Sequence, residues 1–279
     1  MRRICARGPL VAALAVAVLA GFAALPARAA DLLASVKQKG ELVIGTEEQF
    51  APFDFVDNGV HKGLNVDLFE EVGKELGVKV TFVDLPWESV LPGLDAGKYD
   101  MVAGPATITK ARMERYRFSV PIADATVALL KRAGDKTVTK PEDIAGKTVG
   151  AGKASSQMEQ LKKYGEGLPG GITLREYVSN SEAYADLAAG RIVAVGNSLP
   201  NIAYVAAQRP ETFEVVLPPF GAKAYFGYIG KKDADAQPLM DAVDAAIVKM
   251  HKDGRLAAIE KKWFGLVMDT PDTIPPPNF

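Results

Sequence analysis

Apolar positions in the first third of the chain alternate between the spacing of a strand and the spacing of a helix. Four of them, at i, i+1, i+4 and i+8, form one stripe along a predicted helix: Leu68, Phe69, Val72 and Leu76. Gly77 follows as the C-terminal stop of that helix. The predicted strands and helices alternate, and they are Leu42–Ile44, Asn65–Leu76, Val78–Val83, Trp87–Ala96 and Tyr99–Ala103. This order with short connections predicts a parallel sheet covered by helices.

The same alternation returns after residue 147. Ser156 and Glu159 have the spacing of a helix capping box, as do Ser179 and Glu182, and Pro200 suits the first turn of one more helix. The predicted elements of this second unit are Thr148–Gly150, Ser156–Tyr164, Ile172–Tyr177, Ser179–Gly190 and Ile192–Val195. The chain therefore contains two α/β units.

Two segments between these units read as connectors, Pro121–Leu130 and Leu217–Ala222. The chain then ends in an amphipathic helical region, Leu239–Trp263, which Gly254 breaks. Two connectors imply that the chain leaves one lobe, builds a second and returns. The predicted lobes are residues 30–126 with 222–279, and residues 127–221. Ligands of open α/β sheets bind beyond the carboxyl ends of the strands, so a cleft between the lobes is the expected site.

Residues 1–29 have the three parts of a secretory signal peptide. Arg2, Arg3 and Arg7 precede the apolar run Pro9–Leu25, and Ala27-Arg28-Ala29 is a small-x-small cleavage site. An uncleaved membrane anchor is the alternative, but the run is short for a membrane span. We expect an exported protein.

Composition narrows the function classes. The predicted signal holds four of the 33 basic residues, so the mature chain has a net charge of about −5, which argues against nucleic acid. The single cysteine, Cys5, leaves with the signal, so no disulfide or thiol chemistry is expected. His61 and His251 lie apart, and no motif for a metal, a cofactor or a catalytic nucleophile occurs. A carboxylate-based acid/base site stays open.

The stretch "GPATITKAR", Gly104–Arg112, combines a Gly-Pro pair, here interpreted as a turn, with a helix start. If Thr109 caps a helix, Arg112 lies in its first turn, where the helix dipole disfavours a cation unless an anion is near. A guanidinium binds a carboxylate in a bidentate fork. The alternative is a surface arginine paired with Glu114.

Other candidates lie near predicted strand ends. Ser155-Ser156 opens a helix in the second unit, where free N–H groups favour an anion, although an ordinary cap fits equally. Phe50 and Trp87 could line a pocket or pack within their own lobe. Glu47 could receive a ligand cation or be a solvated loop charge.

Four stretches resemble the periplasmic solute-binding proteins of ABC transporters, in the polar-amino-acid class. They are "GELVIGTEEQFAPFDFVDNGVHKGLNVDLFEEVGKELGVKVTF", "PWESVLPGLDAGKYDMVAGPATITKARMERYRFSVPI", "GKTVGAGKASSQ" and "DGRLAAIEKKWFG". The resemblance implies a two-lobe, hinged α/β fold of the type II periplasmic-binding-protein class. It also implies that the lobes close on a small ligand.

The resemblance assigns roles to residues of the first lobe. The two aromatic walls fall on Phe50 and Trp87, and the acidic or polar pocket residue falls on Glu47. The backbone carbonyl that meets a ligand ammonium belongs to Gly104.

It also assigns the carboxylate contacts. Thr107 and Arg112 hold the ligand carboxylate, and Ser156 is the donor from the second lobe. Two positions depart from the family pattern. Pro105 replaces a glycine and so removes one N–H donor. The aspartate for the ligand's α-ammonium falls on Ser198, which carries no charge.

The expected function is capture of an amino acid or a related small carboxylate and its delivery to an ABC permease in the inner membrane. The protein is expected to be a periplasmic monomer without cofactor, metal or nucleic acid, and not an enzyme. The main alternative is an enzyme on the same scaffold, of the cyclohexadienyl dehydratase type. A receptor module is a third interpretation, but the sequence contains no recognisable signalling domain that would support it.

Overall fold

The computed structural model describes residues 31–279, so the predicted signal peptide, residues 1–29, lies outside the described residues. The helices are α1 Leu32–Lys39, α2 Leu64–Leu76, α3 Trp87–Asp95, α4 Lys110–Arg115, α5 Ser156–Glu166, α6 Asn180–Ala188, α7 Leu199–Gln208, α8 Gln237–Asp253 and α9 Arg255–Phe264. None of these helices of residues 31–279 is long and apolar enough to cross a membrane.

Fourteen strands form three sheets within the described part of the chain. The first seven strands are β1 Glu41–Thr46, β2 Gln49–Phe50, β3 Asp54–Asp57, β4 Val60–Lys62, β5 Lys79–Asp84, β6 Met101–Thr107 and β7 Tyr116–Phe118. The remaining strands are β8 Ala123–Asp124, β9 Val127–Arg132, β10 Thr148–Gly152, β11 Thr173–Tyr177, β12 Ala194–Ser198, β13 Phe213–Val216 and β14 Tyr225–Lys231.

The first lobe is built on a six-stranded sheet in the order β5-β1-β6-β14-β7, with β8 also paired to β14. Strands β5, β1 and β6 run parallel, and β14 runs antiparallel to β6. Leu42, Ile44, Phe69 and Tyr228 are fully buried in its core. Val102 and Ile229 belong to a second buried cluster on the other face of the sheet. Burial on both faces explains why the inner strands read as continuous apolar runs.

The second lobe is built on a five-stranded sheet in the order β11-β10-β12-β9-β13. Strands β11, β10 and β12 are parallel, while β9 is antiparallel to both β12 and β13. The chain passes between the two sheets twice, through residues 125–126 and through residues 217–224. This topology is the two-lobe α/β fold that the sequence predicts.

Several predicted elements are confirmed with small changes of bounds. Helix α2 ends at Leu76, and Gly77 has the left-handed φ of 71° that such a stop requires. Ser179 caps α6 by accepting a hydrogen bond from the Ser181 N–H. Gly254 separates α8 from α9 with a φ of 84°.

Two local interpretations are wrong. Gly104 and Pro105 do not form a turn but lie inside β6. Proline is tolerated there because the pairing of β6 with β14 shifts register between Gly227 and Ile229, which interrupts the ladder. The cap of α5 is Ser155 and not Ser156, since the Ser155 hydroxyl accepts from the Met158 N–H at 3.0 Å.

The small sheet β2-β3-β4 was not predicted. Its β3–β4 hairpin turns at Asn58-Gly59, where both residues have positive φ, a hairpin signal present in the sequence but not used. The sheet holds Phe50 against the hydrophobic core of the first lobe. The Phe50 ring stacks on Phe53 with centroids 5.3 Å apart and meets Phe226 edge-on at 5.9 Å.

Candidate functional site

A cavity lies between the two lobes and contains about 540 Å³ of atom-free space, part of it open to solvent. Six of the eight predicted site residues line it: Glu47, Phe50, Trp87, Gly104, Thr107 and Arg112. All six come from the first lobe, on β1, β2, α3, β6 and α4 or the loops that follow them.

Arg112 is a half-buried cation without a carboxylate partner. Thr109 caps α4 by accepting from the Arg112 N–H at 3.2 Å, and the Arg112 Nη1 donates to the Thr107 carbonyl at 3.2 Å. Burial lowers the pKa of the guanidinium to about 10, and Glu159 opposes this only in part. No carboxylate of residues 31–279 lies within ion-pair distance of Arg112, so its charge is available to an anion in the cavity.

Glu47 is the acidic group of the cavity. It follows β1 directly and is 9% exposed. Burial, together with the nearby carboxyls of Asp54 and Asp84, raises its pKa from 4.5 to about 8. The ion pairs of residues 31–279 include none to Glu47, so nothing in this part of the chain compensates its charge. The site therefore favours either a neutral carboxyl or a cation placed against it.

A buried polar cluster lies behind Glu47. Asp54 is fully buried and accepts from His61 Nε2 at 3.0 Å and from the Asn65 amide. Burial raises the pKa of Asp54, and its hydrogen bonds with His61 and Asn65 oppose that shift. His61 Nδ1 is 3.6 Å from Glu48. Within residues 31–279 no group of three or more His, Cys, Asp or Glu side chains could hold a metal ion.

The second lobe closes the cavity with mostly uncharged groups. Its lining residues are Gly152, Lys153, Ser155, Gln157, Val178, Asn180 and Asn197. Lys153 is committed elsewhere, because its ammonium pairs with Glu88 of the first lobe at 2.6 Å. The second lobe thus contributes polar groups and no carboxylate to this cavity.

Two further contacts show that the cleft is closed. The Trp87 Nε1 donates to the Ala154 carbonyl at 3.3 Å, and the Gln157 Nε2 donates to the Thr107 hydroxyl at 3.4 Å. Both bonds join the first lobe to the second. The indole of Trp87 therefore forms a wall of the cavity and also bridges the lobes.

Ser156 and Ser198, the other two predicted site residues, do not line the cavity. The Ser156 hydroxyl is buried against the Gln157 side chain at 3.3 Å. The Ser198 hydroxyl is fully buried without a hydrogen-bond partner. Because successive residues of a strand face opposite sides, the cavity position on β12 belongs to Asn197 instead. Strand alternation along β12 was the signal that could have identified it.

Comparison with known proteins agrees with the fold and the cleft. The family model of bacterial extracellular solute-binding proteins, family 3, matches residues 42–266. The L-cystine-binding protein TcyJ of Escherichia coli K12 is 31% identical over 93% of this chain and 96% of its own. The chain therefore belongs to the bacterial extracellular solute-binding proteins of family 3.

Solved structures show the same architecture. An ancestral arginine-binding protein bound to arginine has a TM-score of 0.75 at 32% identity, over 81% of this chain and 99% of that one. An ancestral amino acid-binding protein, described as a precursor of cyclohexadienyl dehydratase, has a TM-score of 0.74 at 30% identity. It covers 84% of this chain and all of its own.

Proposed function

We propose that this protein captures a zwitterionic amino acid in the cleft and delivers it to an ABC permease. The observation that carries the proposal is the pair Arg112 and Glu47. They are a cation and an acidic group in one cavity, and each is without an oppositely charged partner in residues 31–279. Buried charges are stable when paired, so a ligand with one anion and one cation satisfies both.

The ligand carboxylate is assigned to Arg112. The planar guanidinium offers a bidentate contact, and Thr107 and Ser155 line the same cavity. Ser155 also lies at the start of α5, where unpaired N–H groups and the helix dipole favour an anion. The Ser155 hydroxyl is occupied, because it donates to the Gly152 carbonyl at 2.7 Å and accepts from the Met158 N–H. The first backbone N–H groups of α5, rather than a serine hydroxyl, are the proposed donors from the second lobe.

The ligand ammonium is assigned to Glu47 and the Gly104 carbonyl. A cation placed against Glu47 lowers the pKa of its carboxyl, which then ionises and forms an ion pair. Asn180 and Asn197 contribute only neutral amides from the opposite wall. Glu47 thus takes the charged role that neither Ser198 nor Asn197, the cavity residue of β12, can fill.

The relatives narrow the ligand class further. TcyJ and the TcyA protein of Bacillus subtilis are named as L-cystine-binding, and the ancestral structures hold arginine and glutamine. All of these ligands are amino acids. The proposal includes a periplasmic monomer with the lobe boundaries predicted from the sequence, and with hinges in the segments 125–126 and 217–224.

A thermal-shift screen followed by calorimetry tests the proposal. The panel contains L-cystine, L-arginine, L-glutamine, L-histidine, L-glutamate and, as the counterpart of L-glutamate without an ammonium, 2-oxoglutarate. A ligand that binds only the folded protein raises its melting temperature. We expect at least one amino acid to do so and 2-oxoglutarate not to. A shift with the oxo acid alone would contradict the assignment of an ammonium to Glu47.

A second candidate function rests on Glu47 itself. With a pKa of about 8 its carboxyl is protonated at neutral pH, which is what a general acid requires. This agrees with the dehydratase alternative. Incubation with a hydroxylated cyclohexadienyl acid should then give an aromatic product, seen by its absorbance, and Glu47→Gln should abolish it. No product with the unaltered protein would exclude this activity.

A further inference from the structure

We propose that Asn201 is a positioning residue that holds the closed cleft together without touching the ligand. Its side-chain Nδ2 donates to the backbone carbonyl of Ala51, which connects α7 of the second lobe to the loop after β2 of the first. Asn201 is 1% exposed and is not among the residues that line the cavity. The proposal rests on the proposed function, since it concerns the closure of the same cleft.

The bond ends beside an aromatic wall of the cavity. Ala51 directly follows Phe50, and Phe50 is packed against Phe53 and Phe226 of the first lobe. Gln49, which precedes Phe50, also accepts a hydrogen bond from a side-chain amide of the second lobe. The Gln49 carbonyl accepts from the Asn180 Nδ2 at 3.4 Å, again from the second lobe.

Both contacts start from one buried side chain, that of Asn197. Its Nδ2 donates to the Asn180 Oδ1 at 3.1 Å and to the Tyr184 hydroxyl at 3.1 Å. Its Oδ1 accepts from the Ser198 N–H at 2.8 Å. Asn197 is 4% exposed, so its donors and acceptor are all used inside the protein.

The longer arm of this network has a fixed donor direction. The Tyr184 hydroxyl accepts from Asn197 and has one proton, which it donates to the Asn201 Oδ1. The Asn201 oxygen is thereby occupied, and its Nδ2 faces Ala51. Since Tyr184 is 9% exposed, the arm is buried along its length. We refer to Asn180, Tyr184, Asn197 and Asn201 as the amide clamp.

The clamp can act only when the lobes are together. In an open cleft the Gln49 and Ala51 carbonyls and the Asn201 amide form hydrogen bonds with water instead. In the closed cleft the Asn201 amide is buried and the Ala51 carbonyl is part-buried, so removing the amide leaves this carbonyl without its protein partner. The loss therefore falls on the closed state. Ligand dissociation requires opening, whereas ligand entry uses the open state, so the clamp acts on dissociation.

The test compares Asn201→Leu, which keeps the volume and removes the amide, with Gln208→Ala on an exposed position of the same helix. Association and dissociation of L-cystine and L-arginine are measured by surface plasmon resonance. Asn201→Leu should dissociate about tenfold faster with an association rate within about twofold of the unaltered protein. Gln208→Ala should change neither rate. Equal dissociation from Asn201→Leu and the unaltered protein would overturn the proposal, as would equal changes in both rates.

A second measurement separates this proposal from the proposed function. Spin labels on cysteines introduced at the exposed residues Lys98 and Lys140, one on each lobe, report the distance between lobes with and without ligand. If the unaltered protein binds neither amino acid, the proposed ligand class is wrong, and the clamp is judged on the ligand-free distances. A smaller closed population in Asn201→Leu supports the clamp, and identical distributions overturn it. If Asn201→Leu does not fold, Tyr184→Phe replaces it with the same expected direction.

Discussion

The guanidinium of Arg112 lies over the indole of Trp87, 5.4 Å from the ring centroid. The same indole donates its N–H to the Ala154 carbonyl on the opposite lobe. One side chain thus contacts both the proposed anion-binding group and the other wall of the cleft. Closure of the lobes therefore fixes the face on which Arg112 rests, and cation–π contact with a desolvated arginine stabilises that arrangement.

Replacing Arg112 should abolish most ligand binding. Loss of a charged partner in a closed cleft costs roughly 2–5 kcal/mol, so Arg112→Ala should weaken binding of the identified amino acid by at least about thirtyfold in calorimetry. Arg112→Lys should lose nearly as much, because an ammonium cannot form the bidentate contact.

Arg115→Ala is the matched control for that experiment. Arg115 lies on the same helix but is exposed and paired with Asp95 at 3.0 Å. Exposed ion pairs contribute about 0–1 kcal/mol, so its removal should leave affinity within twofold. Affinity of Arg112→Ala within about threefold of the unaltered protein would remove Arg112 from the site.

The ligand-free protein should lose stability as pH rises through the titration range of Glu47. Its pKa is about 8 in the folded protein against an ordinary 4.5, so between these values the folded chain retains a proton that the unfolded chain has released. The free energy of unfolding then falls with rising pH. The glutamine of Glu47→Gln cannot titrate. The free energy of unfolding of this variant should therefore equal that of the unaltered protein near pH 4.5 and exceed it near pH 8.

Urea unfolding at pH 4.5, 6.5 and 8 measures this difference. Burial also raises the pKa of Glu260, and this group adds to the two profiles alike because Glu47 is not among the groups that shift it. The charges of Asp54 and Glu47 interact, so any change in the titration of Asp54 is part of the measured difference. Parallel profiles of the two proteins would show that Glu47 does not carry the effect.

Ser198 should affect folding and not ligand binding. Its hydroxyl is buried without a partner, so Ser198→Ala removes an unsatisfied polar group and should be neutral or slightly stabilising. Ser198→Asp places an unpaired carboxyl in the same enclosed position. This should lower the free energy of unfolding by roughly several kcal/mol. Urea unfolding measures both. A tenfold loss of amino-acid affinity in Ser198→Ala would instead return Ser198 to the binding site.

Ligand should make the protein more compact if the segments 125–126 and 217–224 act as hinges. Hinge closure is absorbed by a few residues at element ends, which leaves each lobe intact. Small-angle scattering should show a smaller radius of gyration at saturating amino acid, with no change in circular dichroism. An unchanged scattering profile, with binding confirmed by calorimetry, would rule out a closing cleft.

The sequence was sufficient for the parts of the fold that depend on local rules. Helix α2 and its glycine stop follow from apolar spacing and from the conformational freedom of Gly77. The cap at Thr109 was predicted correctly from the sequence, but its spacing to Arg112 left a surface arginine open as the alternative. Six cavity residues of the first lobe were identified through the family resemblance.

What could not be predicted depends on contacts far apart in sequence. Strand β14 lies between β6 and β7, and it contains Gly227 and Gly230, so neither alternation nor β-branched content marks it. The prediction placed Ser198 in the cavity, whereas the cavity residue is its neighbour Asn197. An error of one residue along a strand moves the assignment to the opposite face of the sheet. The amide clamp binds the first lobe through the hydrogen bond from Asn201 to Ala51, and these residues are 150 positions apart in sequence. Local sequence patterns carry no information about such a contact.

The bond between Trp87 and the opposite lobe gives the protein an intrinsic optical reporter. The sequence has two tryptophans. Trp263 donates its N–H to Asp67 at 2.8 Å within the first lobe, so this hydrogen bond does not depend on the cleft. Only the indole of Trp87 exchanges water for a carbonyl when the lobes meet. Tryptophan emission of a Trp263→Phe variant should therefore follow opening and closing in real time without any added dye.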